Sequence, residues 1–427
     1  MKRVLIITYY WPPNGGAGVY RWLKLAKYLP QHGWAPVIYT PENPELTADD
    51  PALAKDVLPG TEVIKRPITE PFGLYKRFTG RAQSERVQTA FLSEQRKGGW
   101  KEDLALWIRS NFFVPDARVW WVKPSVRHLR KYLRRHPVDA IVTTGPPHSM
   151  HLIGRALKRK TGVKWIADFR DPWTDIDFYG QLSLTAWADR RHHRMERSVL
   201  QEADRVVTVS WRWADDLAAL GGRAVEVITN GFDPADVPAS LTVDDAFSLV
   251  HIGAMSATRD CPGLWQALAR IVRSDPDFAA RFRLRFVGPV DHSIIASVEG
   301  AGLGTYVERV GRVSHAEAMV HMQRARVLLL PINNTPNSLG ILPGKVFEYL
   351  STGRPILAVG PAEGDIGRVL GGDHVRVDRT VPATDDARIL ALFREGLTSG
   401  SADQGRYSRI HLAGEMAGLL DTVSAQR

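Results

Sequence analysis

The stretch MKRVLIITYYWPPNGGAGVYRWLKLAKYLPQHGWAPVIYT, residues 1–40, carries the reading of the fold. Residues 4–8 are a continuous apolar run, the pattern of a strand covered on both faces. The Pro- and Gly-rich loop YYWPPNGGAG follows. From residue 19 to 32, Val19, Trp22, Leu23, Leu25, Ala26 and Leu29 recur near a 3.6-residue period and predict a helix. Gly33 closes it, and residues 36–40 form the next strand. Strand, loop, helix and strand in that order make the unit of a parallel sheet. The basic and then apolar start has the outline of a secretory signal, but the run is short and lacks a small-residue cleavage site. A buried first strand is the expectation.

The unit recurs along the chain. Strands are expected at 140–144, 164–168, 205–210 and 225–229, with helices at 149–161 and 184–203. The segment DPADVPASLTVDDAF, residues 233–247, is polar and Pro-rich and reads as a domain boundary. A second series then begins. Its strands are expected at 249–253, 283–288, 307–310, 327–331, 355–359 and 374–377, and its helices near 262–273, 293–301, 314–324, 344–350 and 365–370. At 427 residues the chain is too long for one core. The expectation is an α/β protein with two Rossmann-like parallel-sheet domains, 1–235 and 246–405, facing a central cleft. The last helix, 406–427, is expected to join the first domain. Ligands of such sheets lie beyond the carboxyl ends of the strands.

Composition narrows the function class. The single cysteine, Cys261, cannot form an internal disulfide, so a reducing, cytoplasmic setting is expected. No run approaches the roughly 18–20 apolar residues of a membrane span. Charge is uneven: residues 65–135 hold 17 Lys and Arg against 6 Asp and Glu, while the remainder holds 39 against 40. One segment therefore carries the whole imbalance, and it also contains Phe72, Tyr75, Phe78, Trp100, Trp107, Phe112, Phe113, Trp120 and Trp121. Basic residues mixed with large rings suit an anionic membrane surface. The same mixture suits nucleic acid, or a solvated helix face with some rings in the core. Peripheral contact at the inner face of the plasma membrane is the favoured reading, without nucleic acid as a partner.

Several stretches can carry chemistry. PPNGGAG follows a strand and opens a helix, so its N–H groups can cradle an anion, with Gly15, Gly16 and Gly18 allowing close approach. It is neither a dinucleotide fingerprint nor a Walker loop, and a tight structural turn explains it equally well. TTGPPHSMH places His148 and His151 at i,i+3 on a helix entry, where imidazoles can donate to a substrate hydroxyl or an oxyanion. The spacing offers no third ligand for zinc. DFRDPWTDID puts Asp168, Arg170 and Asp171 past another strand. Arg170 can clamp a phosphate bidentately, or pair with Asp171 to fix the loop. HIGAMSATRD places Arg259 near a helix start. In GILPGKVFEYLSTGRPILAVG, residues 340–360, Lys345 and Glu348 share one helix face at i,i+3. A first-turn lysine opposes the helix dipole, which a bound anion would reverse, and an ordinary Lys345–Glu348 pair is the competing reading.

Together these blocks resemble the family-4 glycosyltransferases of GT-B fold, over nearly the whole chain. The blocks FFVPDARVWWVKP, TTGPPHSMH, WIADFRDPW and ILPGKVFEYL are similar to a bacterial branch that builds surface polysaccharide. The resemblance implies a retaining, metal-independent transfer from a nucleotide-diphosphate sugar to a glycan or lipid-linked acceptor, with no cofactor. It implies that Glu348, the second glutamate of an E-x7-E motif, binds the ribose. Arg259 and Lys345 neutralise the departing diphosphate, and His148 or His151 contacts the sugar. Gly15 and Gly16, with Asp168 and Arg170 nearby, form the phosphate or acceptor loop. The first glutamate of the motif is replaced by Gly340, so backbone groups around Leu339–Leu342 are expected to grip the donor sugar, or the donor lacks the usual hydroxyl pattern. Gly340, Ile341, Leu342 and Gly344 are the expected donor-binding positions beside Glu348. A sugar-nucleotide epimerase, an inactive scaffold and a nucleic-acid binder are the alternatives.

Overall fold

A computed structural model describes residues 1–45, 49–70, 100–239, 241–361, 363–371, 374–395 and 404–425. Phe72, Tyr75 and Phe78 of the basic segment lie outside the described residues, as do the end of the expected second domain, 396–403, and the last two residues of the chain.

The chain divides into two compact units, Met1–Thr229 with Arg409–Arg427, and Asn230–Ser408. In unit 1, β1 (Lys2–Ile7) leads into α1 (Ala17–Tyr28), β2 (Trp34–Pro41) and β3 (Glu62–Arg66). Helices α2 (Trp100–Phe112) and α3 (Val119–Arg135) come next, then β4 (Ala140–Gly145), α4 (Ser149–Thr161) and β5 (Trp165–Phe169). The series closes with α5 (Ala186–Glu202), β6 (Arg205–Thr208), α6 (Trp211–Gly221) and β7 (Glu226–Val227). The seven strands run in the order β3-β2-β1-β4-β5-β6-β7, and every pairing is parallel.

Unit 2 begins with β8 (Phe247–Ile252), α7 (Pro262–Ser274), α8 (Pro276–Arg281) and β9 (Phe282–Val287). It continues through α9 (His292–Gly300), β10 (Val307–Gly311), α10 (His315–Arg324), β11 (Val327–Pro331) and α11 (Lys345–Ser351). The last elements are β12 (Ile356–Val359), α12 (Ile366–Leu370), β13 (Val375–Val377) and α13 (Asp386–Glu395). The strand order is β10-β9-β8-β11-β12-β13, again all parallel. The final helix α14 (Arg409–Ala425) belongs to unit 1. Its Leu412, Ala413, Met416, Ala417 and Leu420 share a core with Val19, Trp22 and Leu23 of α1 and with Trp34.

Both sheets reverse their strand order once, between β1 and β4 and between β8 and β11. Loops leaving the carboxyl ends of these strands diverge there, and each reversal opens a crevice suited to a ligand. The central strands are buried along nearly their whole length, Ile141 and Val142 in one unit and Leu328 and Leu329 in the other, which accounts for their uninterrupted apolar sequences. Among the described residues the basic segment contributes two helices, α2 and α3. On α3, Trp121, Ser125 and Leu129 are buried at fourfold spacing while the basic residues between them face outward.

Candidate functional site

The end of β8 supplies the site in unit 2. Strands β8 and β11 pair only through Leu249 with Val327 and Val250 with Leu328, so their ladder stops before β8 does. The Ile252 N–H and C=O then need other partners, because buried backbone groups left unpaired are costly. Helix α11 provides both. The Ile252 N–H donates to the Tyr349 hydroxyl at 3.0 Å, and Lys345 Nζ donates to the Ile252 carbonyl at 2.6 Å. Tyr349 donates onward to the Leu329 carbonyl of β11 at 3.4 Å. Lys345 and Tyr349 lie one turn apart on one face, so a single helix fastens the two strands where they part.

The lysine occupies an unusual electrostatic position. Burial and then the nearby Arg259 push its pKa down to about 7, with Glu348 opposing. His251 Nε2 is 3.4 Å from Nζ, and its imidazole is held neutral by burial first and then by Lys345 and Arg259. Gly253, at φ +90°, follows β8, and a Cβ there would lie 3.5 Å from Nζ. Gly288, after β9, is tighter still: a Cβ would meet the Gly253 carbonyl oxygen at 2.7 Å. The two turns therefore pack backbone against backbone beside the lysine.

Arg259 closes a short 3-10 turn, Ala257–Arg259. Its Nε donates to Asn333 Oδ1 at 2.7 Å and its Nη1 to the Ala254 carbonyl at 2.7 Å. Asn333 follows β11, so this guanidinium is fixed across the crevice between the loops after β8 and β11. Glu348, on the face of α11 next to Lys345, pairs with a residue that the sequence did not suggest: His315 Nε2 is 3.0 Å from its Oε1. The intrahelical Lys345–Glu348 pair is not formed. His315 opens α10 behind a capping box of Ser314 and Glu317, which fixes where the imidazole starts. The helix itself is expected from residue 314, but nothing local marks the imidazole's partner 33 residues away.

Gly340 lies buried in the 3-10 turn Ser338–Gly340. Its N–H donates to the Asn337 carbonyl at 3.2 Å and that of Ile341 to Ser338 at 3.2 Å, while the Leu339 carbonyl accepts from Asp365. These bonds hold the turn together and occupy the Gly340 and Ile341 amides. Leu342 is buried and Gly344 exposed, directly before α11.

In unit 1 the expected ligand groups turn inward. Asp168 is completely buried. It accepts from Arg21 Nε and Nη2, from Trp22 Nε1 at 2.7 Å and from Thr144 Oγ1 at 2.9 Å. Burial alone would raise its pKa, but Arg21 and the hydrogen bonds hold it below the usual carboxylate range. It staples α1 to β4 and β5 and does not face a ligand. Arg170 donates to the carbonyls of Gly18, Gly145 and Pro146, tying the glycine loop to the loop after β4. It lies across the crevice between β1 and β4 as a brace, not as a phosphate clamp. His151 is enclosed as well, stacked on Phe169 at 4.5 Å with Nδ1 2.9 Å from Thr143 Oγ1. Burial and then Arg170 push its pKa down to about 3 against the pull of Asp168, so it is neutral and cannot reach a substrate.

His148 stands at the start of α4 without capping it through its side chain, and lies flat on Trp173, with ring centroids 4.7 Å apart. It too is held neutral, by burial and then by His151, His192 and Arg170. A Cβ on Gly145 would be 2.6 Å from His151 Nε2 and 3.0 Å from His148 Nδ1, so glycine is required where β4 ends. Gly15 is buried, whereas Gly16 is exposed and enters α1 at φ +90°, a conformation open to glycine.

The sequence profile of the glycosyl transferase 4-like domain matches residues 15–231. Among solved structures, sucrose-phosphate synthase from Thermosynechococcus elongatus is 16% identical at a TM-score of 0.63, covering 100% of both chains. WaaG, a glycosyltransferase involved in lipopolysaccharide biosynthesis, is 13% identical at a TM-score of 0.53, covering 99% of this chain and 100% of its own. AviGT4, a glycosyltransferase involved in avilamycin A biosynthesis, is 16% identical at 0.54, covering 100% of this chain and 99% of its own. At these identities the likeness is one of fold. No curated protein sequence matches the chain. With two Rossmann-like parallel-sheet domains and a matched profile over half its length, the chain belongs to the glycosyl transferase 4-like family and is a transferase of GT-B fold.

Proposed function

We propose that the protein moves a sugar, with retention and without a metal ion, from a nucleotide-diphosphate sugar to a glycan or lipid-linked acceptor in bacterial surface-polysaccharide assembly. The observation that carries this reading is the meeting of Lys345, Arg259 and Glu348 at the strand-order reversal of unit 2. Two cations there match a leaving diphosphate, whose charge grows as the glycosyl bond breaks. In a protected site, fixed cations supply the stabilisation that a metal ion gives in other enzymes. Glu348 beside them suits the diol of a ribose. The acceptor is assigned to unit 1, at the Gly15–Gly16 loop. No helix among the described residues is long and apolar enough to cross a membrane. A lipid-linked acceptor would therefore be met by peripheral contact through residues 65–135 at the inner membrane face.

A panel of UDP-, GDP- and ADP-sugars tested for thermal stabilisation checks the donor class. A ligand at a hundred times its Kd adds about 2.7 kcal/mol. The true donor is expected to raise Tm in the parent and much less in Glu348→Ala. A panel in which nothing shifts the parent removes the reading.

The lysine gives a pH signature. Free Lys345 loses its proton near pH 7, and a bound diphosphate raises that pKa. Between the two values binding takes up a proton, so donor affinity falls by about tenfold per pH unit as pH rises above 7. Calorimetry in buffers of differing ionisation enthalpy measures the uptake. Proton release, or none, contradicts the assignment.

His315 is expected to act through Glu348. Its replacement by alanine removes one hydrogen bond of about 1 kcal/mol, raising donor KM about fivefold with kcat nearly unchanged. Equal KM values in parent and variant would show that the imidazole does not orient the carboxylate.

A further inference from the structure

A second basic surface lies outside residues 65–135. Helices α4 and α5 border a groove of about 460 Å³, lined by Arg155, Arg159, Arg190, Arg191, Arg194 and Trp187 among others. On α5 the positions 187, 190, 191 and 194 recur at helical spacing and form one face. On α4, Arg155 and Arg159 stand one turn apart. Glu202 takes Arg159 bidentately at 2.6 Å, and Arg155 donates to Ser198. Arg191 lies 5.1 Å over the Trp187 ring. Arg190 and Arg194 are exposed and have no carboxylate partner among the described residues. Crowding shows at Arg155, whose pKa is lowered by burial and then by Arg159. A concave cluster of like charges is unfavourable alone and becomes favourable around an anion.

Trp187 of the groove stands near the junction of α5 with α2, which carries further exposed rings. Asn111 donates to the carbonyls of Trp107 and Ser183 and accepts from the Thr185 N–H, fastening the last turn of α2 to the start of α5. That places Trp107 and Phe112 in the same region as Trp187, with exposures of 39%, 70% and 55%. Exposed apolar surface gathered in one region and rimmed by charge marks an interaction site, whereas a single exposed ring is ordinary. Rings beside arginines match the boundary between lipid acyl chains and phosphate headgroups.

We propose that the α4–α5 groove is a phosphate-binding site for the headgroups of anionic phospholipids, and that Trp107, Phe112 and Trp187 enter the bilayer interface beside it. This deepens the peripheral-membrane element of the reading above and rests on it. Arginine forks suit phosphate oxygens bidentately, and a concave site engages a discrete headgroup where a flat basic face would only sense the average potential.

The test is sedimentation with vesicles of phosphatidylcholine, or of equimolar phosphatidylcholine and phosphatidylglycerol. The parent is expected to partition onto the anionic vesicles only. The double variant Arg190→Gln/Arg194→Gln is expected to bind them about 25-fold more weakly, about fivefold for each arginine lost, with Tm unchanged. A parent that ignores anionic vesicles overturns both the membrane reading and this site. A parent that binds while the double variant binds equally well overturns the site alone and leaves contact to residues 65–135. Thermal stabilisation by inorganic tripolyphosphate without vesicle binding overturns the lipid assignment.

Discussion

Replacing Lys345 with alanine is expected to lower kcat by about 10²–10³-fold, the effect of removing one positioned donor from a developing anion in a protected site. The ammonium is fixed from below by the Ile252 carbonyl and flanked by a neutral imidazole, and Gly253 leaves its approach open. It is pre-positioned, so little reorganisation accompanies the chemical step. The fold should survive. The variant leaves one carbonyl short of a donor, a loss of about 1–3 kcal/mol. It also removes an ammonium whose burial the structure opposes, as its depressed pKa records. The measurement is kcat with the best donor, alongside Tm. An unchanged kcat, with the nucleotide sugar still bound, would move the diphosphate away from α11.

The second large effect concerns stability. Asp168→Ala is expected to destabilise unit 1 by about 3–5 kcal/mol, because it leaves the Arg21 guanidinium buried without its counter-charge. Both side chains are almost fully enclosed, at 1% and 0% exposure, so water cannot replace the lost partner. Amide exchange protection in β1, β4 and β5 measures the loss locally and keeps it separate from unit 2. Undiminished protection there would show that α1 is held by its apolar face alone. Replacing the pair together, as in Arg21→Met/Asp168→Leu, should recover much of the stability. The pH dependence has a definite sign. The folded-state pKa of Asp168 is depressed, so its contribution is present above the unfolded value near 3.9 and is lost as pH falls through the lower folded value.

The sheets were legible because their strands are buried on both faces, and such strands announce themselves as apolar runs. Exposed or short pieces did not. Strand β3, Glu-Val-Ile-Lys-Arg at a sheet edge, is half solvated and carries no such run. Helices α2, α3, α6, α8 and α13 were missed too. The placement of Lys345 and Glu348 on one face followed from helical spacing alone. What each side chain touches did not, since Ile252 and His315 lie 93 and 33 residues away. Asp168 and His151 misled for a related reason. Polar residues at the ends of parallel strands are where ligand groups belong, yet here Arg21, Trp22 and Thr143 reach them first. Nothing local to Asp168 or His151 marks that enclosure.

The placement of α14 bears on how the chain matures. Unit 1 is written in two instalments, separated by all of unit 2. A ribosome releases β1 to β7 first, but Trp22, Leu23 and Trp34 lack their cover until residues 412–423 have emerged. Unit 2, one uninterrupted segment, can complete its core while unit 1 still waits. The usual amino-terminal-first order of domain folding is thus inverted at its last step, and a nascent chain stalled before residue 409 carries an open apolar face that invites chaperones.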